Sequence, residues 1–246
     1  MAWTWFFRLG SPKWFYQMSL KWQPWLWFFA GSGLGIGLIW GLWIAPPDYY
    51  QGELQRIMYI HVPAAYLSMF VYVVMAVSGA IGIIWRMKMA YTVSMSCSPI
   101  GAAFTFLALI TGSLWGKPTW GTYWVFDARL TAELVLLFLY FGHMALFNAI
   151  SDLKSADKAA AILAIVGVVN IPIIHFSVEW WNSLHQPASL SKLEKPSIDS
   201  SMLWPLLIMI VSFKVFFVAV LLPFIRNHIL WRDRDAQWVK QEVESK

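Results

Sequence analysis

Two histidines offer the most chemistry in this chain. His61 stands in Ile60-His61-Val62-Pro63 and His185 in Trp180-Trp181-Asn182-Ser183-Leu184-His185-Gln186. Each lies at the edge of a long apolar stretch and beside aromatic residues. Between them runs Trp115-Gly116-Lys117-Pro118-Thr119-Trp120-Gly121-Thr122-Tyr123-Trp124-Val125-Phe126-Asp127-Ala128-Arg129-Leu130-Thr131. Its rings, Trp115, Trp120, Tyr123, Trp124 and Phe126, together with two glycines that admit close backbone approach, suit a flat hydrophobic ligand. An aromatic belt at the lipid headgroups is the competing account of the same residues.

A lone loop histidine is usually just solvated, but two on one face, each beside aromatic rings, favour ligation. Neutral imidazole nitrogens are good ligands for haem iron. One on each side of a porphyrin fills both axial positions and leaves none open for oxygen chemistry. That arrangement suits holding or passing haem. Arg56 and Arg129 are candidate partners of haem propionates, because a guanidinium matches a carboxylate in a bidentate way. The alternative is an interfacial cation whose stem lies in the apolar layer, or for Arg129 a local partner of Asp127. Asp127 is positioned to cap the helix that follows it, and Lys117 reads as an ordinary loop cation. His143, His175 and Lys214 fall inside apolar stretches, where an ionisable group is a functional candidate by default. Of these, His175 lies nearest the two outer histidines.

These residues need elements to position them, and the composition says which. Of 246 residues 59% are hydrophobic and 13% charged, with a mean hydropathy of +0.57. A soluble domain carries about 25% charged residues. Apolar runs long enough to cross a hydrocarbon core of ~30 Å recur along the chain. The expected architecture is all-α: a polytopic membrane protein of six transmembrane helices, near residues 25–44, 62–85, 93–114, 130–149, 159–178 and 202–225. The first should stop at Ala45-Pro46-Pro47-Asp48. The loops 45–61, 115–129 and 179–201 then share one face, and the Trp-rich loop joins helices 3 and 4. The whole chain, residues 1–246, reads as one integral-membrane domain.

Basic residues set the orientation. Arg8, Lys13, Lys21, Arg86, Lys88, Lys154, Lys158, Arg226, Arg232, Arg234, Lys240 and Lys246 fall on one side, against Arg56, Lys117, Arg129, Lys192 and Lys195 on the other. By the positive-inside rule both termini face the cytoplasm and the chemistry-bearing loops face outward. The N-terminal stretch lacks a small-residue cleavage site, so no cleaved signal peptide is expected. The net charge of +5 sits in short connections and not in a stripe, so no nucleic-acid partner is expected. The single Cys97 excludes a disulfide framework and a CxxC motif, and no phosphate-binding GxxxxGK[ST] loop occurs. The charged tail from Arg232 to Lys246 reads as a solvated end.

The stretch from Trp120 to Thr131 resembles the tryptophan-rich "WWD" signature of a superfamily of haem-handling proteins. With Trp115-Gly116-Lys117-Pro118, the flanking His61 and His185 and a six-span chain, the resemblance is to the family of cytochrome c maturation protein C, also called haem exporter protein C. It covers nearly the whole chain and is most specific from Tyr49 through Gln186. The family commonly has Trp immediately before the Asp, where this chain has Phe126, so an indole N–H is missing there. The resemblance implies that His61 and His185 are axial ligands of a non-covalently held haem b lying over the tryptophan loop. It implies a bacterial inner-membrane location with the site facing the periplasm. It also implies delivery to a periplasmic haem chaperone, cytochrome c maturation protein E, for c-type cytochrome biogenesis. The implied partners are a small single-span protein D and the ATP-binding cassette pair A and B. The chain would then not itself be an enzyme. The rival readings are a haem ligase that forms the covalent haem–chaperone bond, and a permease-type scaffold whose Trp loop only anchors it in lipid.

Overall fold

The computed structural model describes residues 10–181, 183–185 and 198–244. Arg8, Asn182, Gln186, Lys192, Lys195 and Lys246, which entered the sequence reading, lie outside them. Among the described residues, six helical segments are long and apolar enough to cross a membrane, namely Pro12–Ile44, Glu53–Trp85, Lys88–Trp120, Ala128–Ala149, Leu153–Trp180 and Ser200–Arg232. No strand occurs among the described residues, where the one sheet-like feature is a lone bridge between Asp48 and Gly52. The protein is an all-α, multi-pass membrane protein.

Helix α1 (Pro12–Ile39) carries Pro24 inside it and widens into a single π-helical turn, Trp40–Ile44. Ala45 N–H closes that turn on Trp40 O at 2.7 Å, and Pro46 and Pro47, which have no N–H to continue the ladder, end the helix there. A 3-10 turn (Glu53–Ile57) leads directly into α2 (Met58–Trp85). The second span therefore begins well before residue 62, and His61 sits in the first turn of a helix. Arg86, with φ 54°, ends α2 in the left-handed region, and α3 (Lys88–Trp120) folds back against it.

At 33 residues, α3 extends about 50 Å at 1.5 Å per residue, well beyond a ~30 Å hydrocarbon core. The extra length is at the functional end. Residues 115–120, expected to be loop, are its last turns and include Pro118. Thr119 Oγ1 donates to Trp115 O at 2.7 Å, and Gly121 N–H closes on Lys117 O at 3.0 Å. Gly121 adopts φ 79°, the left-handed conformation that lets a chain leave a helix.

Helix α4 (Ala128–Ala149) starts at Asp127, whose Oδ1 accepts from Leu130 N–H at 2.8 Å. The fifth span is broken into α5 (Leu153–Gly167) and α6 (Asn170–Trp180). Pro172 cannot give the N–H that would pair with Val168 O, so Ile171 N–H takes that carbonyl at 3.0 Å. Asn170 Nδ2 ties the break to α4 through Ala132 O at 2.8 Å. Helix α7 (Ser200–Arg232) keeps Pro205 and Pro223 within it. The tail is not wholly solvated. It forms α8 (Gln237–Glu244), with Val239 buried and the Trp238 ring 6.0 Å from Tyr16.

Helix α2 is central and packs against α3, α5 and α7, while α1 lies along α7. Its contact with α5 uses small residues, as membrane helices do: Ala161 lies against Gly79. Tyr59, Leu67, Tyr72, Met75, Leu136, Tyr140, Leu206 and Met209 fill the core. Far from the functional end, Arg232 and Asp157 form a bidentate buried pair, with Nη1 to Oδ2 at 2.9 Å.

Candidate functional site

The first turn of α2, the last turns of α3, the 121–127 loop, the start of α4 and the segment after α6 meet at one end of the bundle. They bring both outer histidines to the tryptophan residues. The His61 ring meets Trp115 edge-on, with centroids 5.6 Å apart, and the His185 ring meets Trp120 edge-on at 4.8 Å. The two imidazoles lie near enough for their charges to interact, and both feel Arg129.

Each histidine is held by Nδ1. His185 Nδ1 is 2.7 Å from Asp127 Oδ2. That oxygen also accepts from Ser183 Oγ at 2.6 Å, and Ser183 Oγ in turn accepts from His185 N–H at 3.1 Å. An acceptor-only carboxylate requires the Nδ1–H tautomer in a neutral ring. His61 Nδ1 is 3.0 Å from Thr111 Oγ1, whose own hydrogen goes to Leu107 O at 2.7 Å. Thr111 can therefore only accept from His61, and the same tautomer follows. Both rings are thus fixed with Nε2 carrying the lone pair. Gly112 makes room for this: a Cβ there would stand 3.0 Å from His61 Cε1.

The electrostatics at His185 favour a neutral ring that can ligate. Burial pushes the His185 imidazole below its ordinary value; the Asp127 carboxylate pulls it back up, and Arg129 adds to the lowering. Asp127 is partly buried, which would raise its value. The Ser183 and Leu130 hydrogen bonds and the His185 ring outweigh this and hold its carboxyl below the usual range.

Other candidates are placed as follows. Trp115 Nε1 donates to Gln51 Oε1 at 2.7 Å, locking that indole to the segment between α1 and α2. Trp124 is half-buried and lines an apolar groove of about 340 Å³ with Phe106, Leu109, Ile110, Leu134 and Leu137. Tyr123 lies under the Lys117 ammonium, 5.2 Å from its ring centroid. Phe126, against Trp124 at 5.8 Å, is 83% exposed and projects from the loop. Arg129 donates to Ser177 Oγ and to His175 O, both at 3.2 Å, beside the histidines. Arg56 is engaged elsewhere: it pairs with Glu53 and its Nη1 donates to Gly41 O at 2.8 Å and Ala45 O at 2.9 Å. The structure gives it the role of a latch on the end of the first span.

Of the histidines within spans, His175 contributes its carbonyl to Arg129, while its ring lies against Phe176 at 4.7 Å. His143 is fully buried and bonded through Nδ1 to Ser98 Oγ at 2.6 Å. Lys214 stands over the Tyr66 ring at 4.7 Å. Sequence reasoning missed Thr111, Ser183, the second role of Asp127, and Glu133. Glu133 is a buried acid of α4, and the rule that directs attention to ionisable groups in apolar spans points to it as well.

Fold and site together define a multi-pass membrane protein with two pre-set imidazoles in an aromatic cleft at one end of its bundle. The sequence matches the family described as Heme exporter protein C over residues 5–240. It is 49% identical over 238 residues to Heme exporter protein C of Haemophilus influenzae, covering 97% of each chain. It is 48% identical over 241 residues to that of Escherichia coli K12, covering 98% of this chain and 97% of the relative. A mitochondrial protein of Marchantia polymorpha named for cytochrome c biosynthesis is 42% identical over 187 residues, covering 76% of this chain and 77% of its own. The chain belongs to the Heme exporter protein C family.

Proposed function

We propose that this protein holds haem b non-covalently at the periplasmic face of the bacterial inner membrane and hands it to a periplasmic haem chaperone for c-type cytochrome biogenesis. His61 and His185 are the axial ligands. Trp115, Trp120, Tyr123, Trp124 and Phe126 form the aromatic surface, and Arg129 attracts a propionate, while Arg56 holds the end of the first span beside the site. The observation that carries this reading is the shared Nδ1 tethering of both rings, which leaves two neutral Nε2 lone pairs. An acceptor on the far ring nitrogen orients metal-bound histidines generally. Two imidazoles are too few for a bare ion. A porphyrin brings four more donors and a flat apolar body to match the indoles.

Family membership supports haem as cargo, and the name of the Marchantia relative supports the c-type pathway. The basic-residue bias supports an outward-facing site. The expected partners are the chaperone, cytochrome c maturation protein E, the single-span protein D and the cassette pair A and B. With both axial positions filled the chain carries haem without reacting with it, and covalent attachment falls to the chaperone. Absorption spectra of the purified protein test this. Low-spin bis-imidazole bands should appear in wild type, shift in His61→Ala and His185→Ala, and vanish in the double variant. Wild type unable to bind added haem would sink the proposal. Acid–acetone extraction should remove the haem intact.

A further inference from the structure

Among the described residues, Glu133 is the one acid buried beside the site that the binding reading leaves unused. It lies one helical turn below Arg129 on the same face of α4, is 7% exposed, and its Oε1 has no hydrogen-bond partner. Ser68 of α2 is within hydrogen-bonding reach. The Ser68 hydroxyl is also bonded to Ala65 O at 2.7 Å. A buried carboxylate with an unpartnered oxygen costs far more than the neutral acid.

Arg129 is equally telling. Its hydrogen bonds go to a hydroxyl and a carbonyl, both uncharged. It feels the charges of Asp127, Glu133 and Glu179, yet none of these carboxylates is bonded to it, and Asp127 is committed to His185 and Ser183. We propose that Glu133 acts as the proton-holding residue of the haem seat: while neutral it leaves the Arg129 cation available to a haem propionate, and when ionised it competes for that cation. This rests on the reading of Arg129 as a propionate partner.

Haem and a proton then bind together, and haem affinity falls as pH rises through the titration of Glu133, by up to about tenfold per pH unit for a single coupled proton. The other titratable groups packed around Glu133 are Tyr140 on α4, and Tyr72 and Cys97 facing Tyr140 from α2 and α3. Ordinary phenols and thiols stay neutral near pH 7. His61 and His185 act with the opposite sign, because they must lose protons to ligate, so they improve binding as pH rises. A falling limb on the alkaline side is therefore the signature of Glu133.

The test is haem titration by absorbance of the full chain in lipid nanodiscs from pH 6 to 9, for wild type and Glu133→Gln. Wild type should show the falling limb and Glu133→Gln should lack it. A limb that persists in Glu133→Gln, or a flat profile in a wild type that does bind haem, overturns this inference alone. A wild type that binds no haem at any pH overturns the haem-seat reading and this inference with it.

Discussion

Asp127 joins His185 to the start of α4. One carboxylate oxygen lies 2.7 Å from His185 Nδ1 and the other accepts from Leu130 N–H at 2.8 Å. The helix cap is therefore also the post from which an imidazole is aimed. Cap and ligand orientation are separable by mutation, because Asn caps a helix about as well as Asp. Asp127→Asn should keep thermal stability close to wild type and lower haem affinity by about 10–100-fold, the usual cost of losing such an outer partner. Asp127→Ala should do both, with an additional stability loss of about 0.5–2 kcal/mol from the missing cap. Thermal unfolding beside haem titration separates them. Equal haem affinity in wild type and Asp127→Asn would end the orienting role.

The same pair predicts a pH dependence for the segment that follows α6. The His185 value is depressed on folding. The unfolded ring, near pH 6.5, takes its proton first, so the segment loses stability as pH falls below that point and toward the folded value. Asp127 is also depressed. Its contribution is present above the ordinary carboxylate range and is lost as pH falls through the lowered folded value. Amide protection at Leu184 and His185, taken as the exchange rate against the intrinsic rate at each pH, should fall in two steps on acidification. Asp127→Asn should lack the lower step, and a single unbroken profile would contradict the assignment.

Thr111 sets His61 as Asp127 sets His185, but from within a membrane-spanning helix. Thr111→Val keeps the shape and removes the acceptor 3.0 Å from Nδ1. The ring must then leave a buried N–H unpaired, at about 1–3 kcal/mol, or change tautomer and lose its Nε2 lone pair. Haem affinity should fall by about tenfold or more, on the scale of 1.4 kcal/mol per factor of ten. The Soret band should also move toward that of His61→Ala. Unchanged affinity would mean that Thr111 merely satisfies its own helix.

The spans, the aromatic segment and both histidines were legible because each is a local signal: apolar runs, clustered indoles, and a histidine at a run's edge. What was not legible depends on register and return. Thr111 meets His61 across two helices, a relation fixed by how α2 and α3 pack. Ser183 reaches Asp127 only because the chain comes back after the whole of α5 and α6. Trp115 and Trp120 read as loop because the apolar run ends at Leu114, and Pro118 lies in the segment that follows. Yet a proline lacks only one N–H, and the Thr119 and Gly121 bonds hold the last turn together. The break inside the fifth span was signalled by Asn170 and Pro172, but an unbroken apolar run conceals it.

Arg56 and Arg129 looked alike as candidate propionate partners, and what already holds each of them predicts different outcomes. Arg56 Nη1 serves the carbonyls of Gly41 and Ala45, both in buried residues at the end of the first span. Losing that donor leaves buried acceptors unpaired, at about 1–3 kcal/mol each. Its pairing with Glu53 adds little, since the Glu53 side chain is 72% exposed. Arg56→Gln should therefore lower the thermal midpoint first and haem affinity through loosening of the loop that holds Gln51 against Trp115. Arg129→Gln removes two bonds to α6 and a cation felt by both histidines, so affinity should drop with a smaller change in midpoint. A substrate distinction sharpens the comparison. Haem dimethyl ester has no free carboxylate to meet a guanidinium, so it should bind Arg129→Gln and wild type alike while still binding Arg56→Gln more weakly than wild type. If the ester discriminates against Arg129→Gln as strongly as haem does, Arg129 acts through the fold and not through the propionate.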